Sequence, residues 1–209
     1  MKKSPYSNGF QQFENSSGSG LIAWVKLPLA KRTVSAAEQK AFEKQAVLEL
    51  IQAHLGEQFL LKSDDFGKPW PIDGMGNISI SHSASHIAFA FHPSTTQGID
   101  IETHRPQLQK VAERVLHTSE RDKLEAAADK QFLLQVFWGA KEAMYKAYGK
   151  KQLIFSTQLI VDTLPNETGN FYGRIVLPAQ LWKVELQLIQ PDSETFLVFV
   201  KDVQISEPA

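Results

Sequence analysis

The segment from residue 131 to 149, QFLLQVFWGAKEAMYKAYG, carries the strongest structural signal in the chain and predicts an amphipathic helix. Apolar residues recur every three or four positions, so they share one face, and Gly149 stands where a helix commonly ends. We therefore expect a long helix with one buried side. The face that this spacing buries consists of Phe132, Val136, Ala140, Ala143, Met144 and Ala147.

The segments on either side of this helix predict strands. After it, β-branched and aromatic residues form four short runs within residues 153–202. Before it, residues 98–102 read GIDIE, which is typical of a short strand, and helical signals begin near residue 107. The second half of the chain is therefore expected to run from one strand through several helices to a group of strands.

The first half shows a similar order of elements. Residues 21–27 predict a strand, and Ser35 and Glu38 form the capping-box pattern of a helix that should run to about His54. Alternating apolar residues then predict a hairpin within residues 78–91. The two halves thus have comparable successions of strand and helix, although their sequences show no clear repeat.

This succession predicts an α+β fold. We expect two similar α/β subdomains related by a pseudo-twofold, each a small antiparallel sheet packed on a long helix. The expected boundaries are a loose arm with at most one short strand at residues 1–19, a first subdomain at 20–97 and a second at 98–209.

Composition excludes several classes of site. The 209 residues carry 22 basic and 23 acidic side chains, so no strong overall field favours nucleic acid or an anionic membrane as a partner. The absence of cysteine excludes disulfides, thiolate metal sites and a cysteine nucleophile. With neither a signal-peptide pattern nor an apolar run of membrane-spanning length, we expect a cytoplasmic protein.

Two carboxylates alternate along the strand at residues 98–102. Asp100 and Glu102 point to one face, and Ile99 and Ile101 point to the other. Adjacent like charges repel unless a cation lies between them, and hard carboxylate oxygens suit Mg²⁺. The apolar neighbours imply a buried strand end and so favour a metal site, while the alternative is a solvated edge strand.

Three further features carry charge or hydroxyl groups. On the predicted helix at 131–149, Glu142 and Lys146 are four residues apart, the spacing of an ion pair, and Lys141 lies beside them. Pairs of this kind are also common on ordinary solvated helix surfaces. His82 ends a strand among serine hydroxyls, and Lys68 lies in a Gly-Lys-Pro turn. Taken alone, each feature is better explained by a structural role.

Together, however, four blocks in this order resemble the Sfp-type 4′-phosphopantetheinyl transferases of the holo-acyl-carrier-protein synthase superfamily. They are GKP at 67–69, ISHS at 80–83, GIDIE at 98–102 and WGAKEAMYKA at 138–147. The flanking helix and the C-terminal strands fit too, so the resemblance covers most of the chain.

The resemblance implies that coenzyme A gives its phosphopantetheine arm to a serine of an apo acyl or peptidyl carrier protein, with release of adenosine 3′,5′-bisphosphate. It implies that Asp100, Glu102 and Glu142 hold Mg²⁺, with Mn²⁺ as a substitute. Glu142 would also be the general base, directly or through a metal-bound water. Lys146 would neutralise or protonate the leaving phosphate, and His82 would assist at the coenzyme A phosphates.

The resemblance also implies a coenzyme A site between the two subdomains. Gly139 stands where the family usually has serine or threonine, and Lys44-Gln45 lies in a region where the family often has arginine. Three basic residues are therefore candidates for binding the 3′-phosphate of the nucleotide. The residues expected to bind coenzyme A are Lys68, Ser81, His82 and Lys146, with Lys31, Arg32 and Lys44 as the candidates for the 3′-phosphate.

An acidic carrier protein would need a basic or apolar patch, for which residues 107–127 are a candidate; a solvated helical face is the alternative. The length favours a monomer. Three other functions stay open: a non-catalytic module that binds coenzyme A or a nucleotide, a Mg²⁺-dependent diphosphate hydrolase, and a structural interaction domain. In the candidate carrier-binding patch at residues 107–127, the basic residues are Lys110, Arg114, Arg121 and Lys123.

Overall fold

The computed structural model describes residues 8–27 and 35–207 of the chain. Strands and helices are both abundant, so the fold is α+β, as predicted. None of the helices in these two ranges is long and apolar enough to cross a bilayer.

Most strands pair with chain neighbours in antiparallel hairpins. Within the described ranges the strands are β1 (Asn8–Asn15), β2 (Gly18–Lys26), β3 (Leu61–Ser63), β4 (Pro69–Pro71), β5 (Asn77–His82), β6 (His86–His92), β7 (Ile99–Thr103), β8 (Leu159–Val161), β9 (Asn170–Leu177), β10 (Gln180–Asp192) and β11 (Thr195–Ser206).

Two long helices and several short ones accompany the strands. The described helices are α1 (Ala36–Leu55), α2 (Ala112–Val115), α3 (Thr118–Ala126), α4 (Lys130–Tyr148) and α5 (Phe155–Gln158), with a 3-10 turn at Pro106–Lys110.

The first sheet has the strand order β1-β2-β6-β5 and is antiparallel throughout. Helix α1 packs on one face of this sheet through Ala46, Leu50 and Ile51. Ser35 and Glu38 form the capping box at the start of α1, which confirms the predicted helix start. Strands β3 and β4 form a separate two-stranded ribbon.

The second sheet has the strand order β7-β11-β10-β9-β8 and packs on α4. Asp129 caps the start of α4 by accepting a hydrogen bond from Phe132 N (2.9 Å). Gly149 ends the helix in the left-handed conformation, φ 73°, which confirms the predicted stop. The second core lies between this helix and this sheet.

A third apolar cluster joins the two sheets. Ile22 and Ala90 contribute to it from the first sheet, and Ile99, Ile101 and Phe199 contribute from the second. Edge strand β7 therefore has its isoleucines buried against the first sheet, which leaves its acidic side chains on the side of α4.

One segment differs from the sequence-based expectation, and a second agrees with it. Where a loose arm was expected, β1 pairs with β2 along its whole length, because Phe13 is buried between the sheets. The helical signals over residues 107–148 resolve into a 3-10 turn and three separate helices, which are interrupted near Leu116 and Ala127.

Candidate active site

A close approach of backbone to backbone brings β7 onto α4 at the start of the GIDIE segment. A Cβ atom at Gly98 would overlap the carbonyl oxygen of Ala143 and lie 2.7 Å from the nitrogen of Ala147. Only glycine fits there without displacing the helix backbone. The small residues of α4 and Gly98 together place the acids of β7 beside Glu142.

Asp100 has two carboxylate oxygens in different environments. Its Oδ1 accepts hydrogen bonds from Lys146 Nζ (2.8 Å) and Ser81 Oγ (3.1 Å). Its Oδ2 is buried and has no hydrogen-bond partner among the described residues. A buried carboxylate oxygen without a partner is costly, so it is expected to receive a ligand or an ion.

The other two acids repel this carboxylate and each other. Burial raises the pKa of Glu142 to about 7, and the charges of Asp100 and then Glu102 push it up against the opposing effect of Lys146. Burial also raises the pKa of Glu102, with Asp100 adding to the rise and Arg105 opposing it. The three carboxylates therefore form one electrostatically coupled cluster.

The cluster fits a divalent cation in its chemistry. Three carboxylates offer the hard oxygen ligands that Mg²⁺ prefers, and the orphaned Asp100 Oδ2 lies among them. The side chains are not preformed as a cage: within residues 8–27 and 35–207, no three acids or histidines surround a single point. One reason is that Arg105 holds Glu102 Oε1 at 2.6 Å.

A basic pocket adjoins the cluster at the C-terminal end of α4. Its volume is about 240 Å³, and Phe66, Pro69, Ile80 and Tyr145 form part of its wall. Apolar walls surrounded by ammonium groups suit an aromatic base that carries phosphates. The lysines that line the pocket are Lys68, Lys146, Lys150 and Lys151.

Lys68 is held within this pocket by the end of α4. Its Nζ donates to Thr96 Oγ1 (3.1 Å) and to the carbonyl of Ala147 (3.2 Å), and it lies 5.4 Å from the ring centre of Trp70. Burial lowers the pKa of Lys68 to about 8, while Asp64 opposes the decrease. An anion bound beside this ammonium would stabilise its charged form.

The remaining candidates for coenzyme A binding are dispersed. The His82 side chain is 63% exposed, and its Nε2 lies 4.0 Å from Glu43 of α1. Lys44 is exposed on α1. Lys31 and Arg32 lie outside the described residues. The structure therefore brings together Ser81, Lys146 and the acids but does not place the 3′-phosphate cation.

Lys146 and Ser81 are more deeply engaged than the sequence suggests. The Lys146 ammonium uses all three N–H groups within the protein: it donates to Asp100, to Ser81 Oγ (2.9 Å) and to the carbonyl of Ile99 (3.0 Å). Ser81 is buried. Lys146 still lines the basic pocket, so its charge acts on that space even while its N–H groups are bound.

The site also contains an arginine that the sequence-based prediction missed and a tryptophan that it left without a role. Arg105, three residues after Glu102, pairs with that acid, and a scan for i, i+3 charge pairs would have found it. Trp138 has a buried indole N–H that faces Glu102 but lies outside hydrogen-bond geometry with the described residues. By contrast, Lys141 is fully buried against Glu120, away from the site.

A cluster of three electrostatically coupled carboxylates next to a lysine-lined pocket suits a phosphate-bearing ligand. Residues 97–204, more than half of the chain, match the 4′-phosphopantetheinyl transferase superfamily. The chain belongs to this superfamily. A comparison with curated proteins finds no significant match.

Proposed function

We propose that this protein transfers the 4′-phosphopantetheine arm of coenzyme A to a serine of an apo carrier protein. The observation that carries the proposal is the cluster of Asp100, Glu102 and Glu142, with its unpartnered buried oxygen, next to the basic pocket. Membership of the superfamily supports transferase activity. The attacking atom is the serine oxygen, and the bond that breaks joins the two phosphates of coenzyme A.

The three acids would hold Mg²⁺, or Mn²⁺ in its place, through oxygens that now repel one another. The bound ion supplies charge neutralisation at the pyrophosphate. Glu142 would accept the proton of the carrier serine. Its pKa of about 7 belongs to the cluster without an ion, and a bound cation would lower that pKa. Without a counter-charge, the cluster would instead repel the diphosphate.

The basic pocket would receive the nucleotide end of coenzyme A. Its apolar wall suits the adenine ring, and Lys68 and Lys146 lie where they can neutralise phosphate charge. Ammonium groups near the leaving bisphosphate lower the barrier because charge builds up there as the bond breaks. His82 and the exposed Lys44 would contact the coenzyme A phosphates at the outer edge of the site.

The carrier protein would dock on the helical segment after β7. Lys110, Arg114 and Arg121 are exposed there and offer positive charge to an acidic partner. Lys123 is partly engaged, since its Nζ donates to the carbonyl of Val161 (3.3 Å).

We also propose that the protein is an Sfp-type transferase, that a pseudo-twofold relates its two sheet–helix units, and that it is a cytoplasmic monomer.

Mass spectrometry of carrier proteins tests this function directly. Apo carrier incubated with the protein, coenzyme A and Mg²⁺ should gain the mass of the phosphopantetheine arm on one serine, and chelation by EDTA should stop the gain until Mg²⁺ is restored. Breakdown of coenzyme A without any carrier would indicate a hydrolase. Binding of coenzyme A with no reaction would indicate a non-catalytic module.

A further inference from the structure

Two serines on β5 join the edges of the two sheets. The backbone N–H groups of Ile99 and Ile101 in β7 point away from the second sheet and donate to Ser79 Oγ (3.1 Å) and Ser81 Oγ (3.2 Å), respectively. Both serines are buried, with 3% and 4% of their surface exposed. Serine hydroxyls thus take the place of the carbonyl groups that would accept these bonds in a continuous sheet.

The two serines differ in what their hydroxyl groups do next. Ser81 donates its hydroxyl hydrogen to Asp100 Oδ1 at 3.1 Å, and its lone pairs accept from Ile101 N and Lys146 Nζ. A hydroxyl has one donor and two acceptor positions, so Ser81 is saturated. Among the described residues, Ser79 makes no hydrogen bond to Asp100 or Lys146.

This arrangement fixes one oxygen of Asp100 and leaves the other free. Ser81 and Lys146 both donate to Oδ1, which prevents rotation of the carboxylate, while Oδ2 stays buried without a partner. Groups that hold a metal-binding carboxylate by hydrogen bonds to its second oxygen orient it and strengthen metal binding.

We propose that Ser81 is a positioning residue that orients Asp100 so that its Oδ2 is presented to the divalent cation, and that it does not bind coenzyme A directly. This inference rests on the proposed function, because it requires a cation at the three acids. Ser81 thus links the junction of the two sheets to the acidic cluster, whereas Ser79 only helps to form the junction.

The test is a titration of the full-length protein with Mn²⁺ in the absence of coenzyme A. The electron paramagnetic resonance signal of free Mn²⁺ measures how much of the ion stays unbound at each point. Replacing Ser81 by alanine should weaken Mn²⁺ binding about 10- to 100-fold. Ser81→Thr keeps the hydroxyl and should restore affinity. In a transfer assay, Ser81→Ala should raise the Mg²⁺ concentration needed for half-maximal rate, while the KM for coenzyme A changes little.

Ser79→Ala is the matched control, because it removes the same kind of hydroxyl bond to a neighbouring amide of β7. Ser79 lines the basic pocket, so the comparison is made without coenzyme A. Both alanine variants should lose similar thermal stability, but only Ser81→Ala should lose Mn²⁺ affinity. Thermal unfolding of each variant separates this effect from a failure to fold.

Equal Mn²⁺ affinity in Ser81→Ala and wild type would overturn the positioning role, as would an equal loss in Ser79→Ala. Neither result would touch the proposed function if the wild-type protein still loads a carrier. A wild-type protein that binds no Mn²⁺ and loads no carrier would overturn the proposed function and this inference with it.

Discussion

Two lysines of helix α4 each pair with a carboxylate from another element, at the same N–O distance but in different surroundings. Lys141 Nζ lies 2.8 Å from Glu120, and Lys146 Nζ lies 2.8 Å from Asp100. The first pair is fully buried, whereas 27% of the Lys146 side chain is exposed. The distance between the charges therefore does not tell which pair belongs to a site.

The difference lies in what each pair leaves unbound. Lys141 also donates to the carbonyls of Phe155 and Leu159, and Glu120 also accepts from the amides of His117 and Val161. All three N–H groups of Lys141 and both oxygens of Glu120 have partners, so this pair serves to hold the helices and β8 together. The Lys146–Asp100 pair keeps one buried oxygen free, next to two more acids and a pocket.

The sharpest way to test this contrast is Glu142→Gln. It should lower the transfer rate about 10²- to 10⁴-fold, because the serine proton loses its acceptor. Stability should stay equal or rise, since burial and the neighbouring acids disfavour the charged form of Glu142 in the folded protein. Carrier loading and urea unfolding measure the two effects.

Glu49→Gln is a control for the same chemical change at an exposed helical acid outside the proposed carrier-docking segment. It should alter neither rate nor stability. A Glu142→Gln protein that still loads the carrier at the wild-type rate would exclude Glu142 as the base.

Lys141→Met should have the opposite result. It leaves Glu120 buried without its counter-charge, and removing one partner of a buried pair costs about 3–5 kcal/mol of the free energy of unfolding. Transfer should persist in the fraction that is folded, because Lys141 points away from the acidic cluster. Urea unfolding followed by circular dichroism measures the loss. A stable Lys141→Met protein with a transfer defect would place Lys141 in the site.

The sequence predicts much of the fold because the fold depends on local signals. The capping box at Ser35 and the glycine stop at Gly149 are both present in the structure. The sequence could not show that β1 is a full strand, because residues 8–15 are polar except for Phe10 and Phe13, and the pairing partner decides their conformation.

For the site, spacing identifies the charged residues of the motifs but not their partners. Lys141 and Lys146 stand in the same motif, yet only packing shows that Lys141 faces Glu120 and Lys146 faces Asp100. The role of Ser81 is equally hidden, because it depends on the meeting of two sheet edges that are distant in the chain. Long-range contacts of this kind leave no periodic signal in a single sequence.

Lys68 in the basic pocket gives a further prediction, a pH dependence of ligand binding that is smaller than the effects above. Because its pKa is lowered to about 8, the charged form that binds phosphate is lost as pH rises through 8. Binding of adenosine 3′,5′-bisphosphate, whose phosphates are fully ionised above pH 7, should weaken about tenfold from pH 7 to pH 9. Calorimetric titration at the two pH values measures this change.

Lys68→Arg provides the control, because arginine stays charged throughout this range. Its affinity for the bisphosphate should be nearly independent of pH. The same tenfold decrease in wild type and Lys68→Arg would assign the titration to another group.

Gly139 should give the smallest effect, although it adjoins the free oxygen. A Cβ at this position would lie 3.2 Å from Val198 Cγ2 and 3.8 Å from Asp100 Oδ2. Gly139→Ala gains up to about 1 kcal/mol of helix propensity, and the close Val198 contact offsets part of that gain. Unfolding free energy should therefore change by less than about 1 kcal/mol.

Gly139→Ser adds a hydroxyl that can reach towards Asp100 Oδ2. If a cation holds that oxygen, the hydroxyl must turn away when the cation binds, so Mn²⁺ affinity should fall only a few-fold relative to Gly139→Ala, as measured by the same titration. A serine variant that binds Mn²⁺ more tightly than the alanine variant would mean that the hydroxyl supports the cation instead of competing with it.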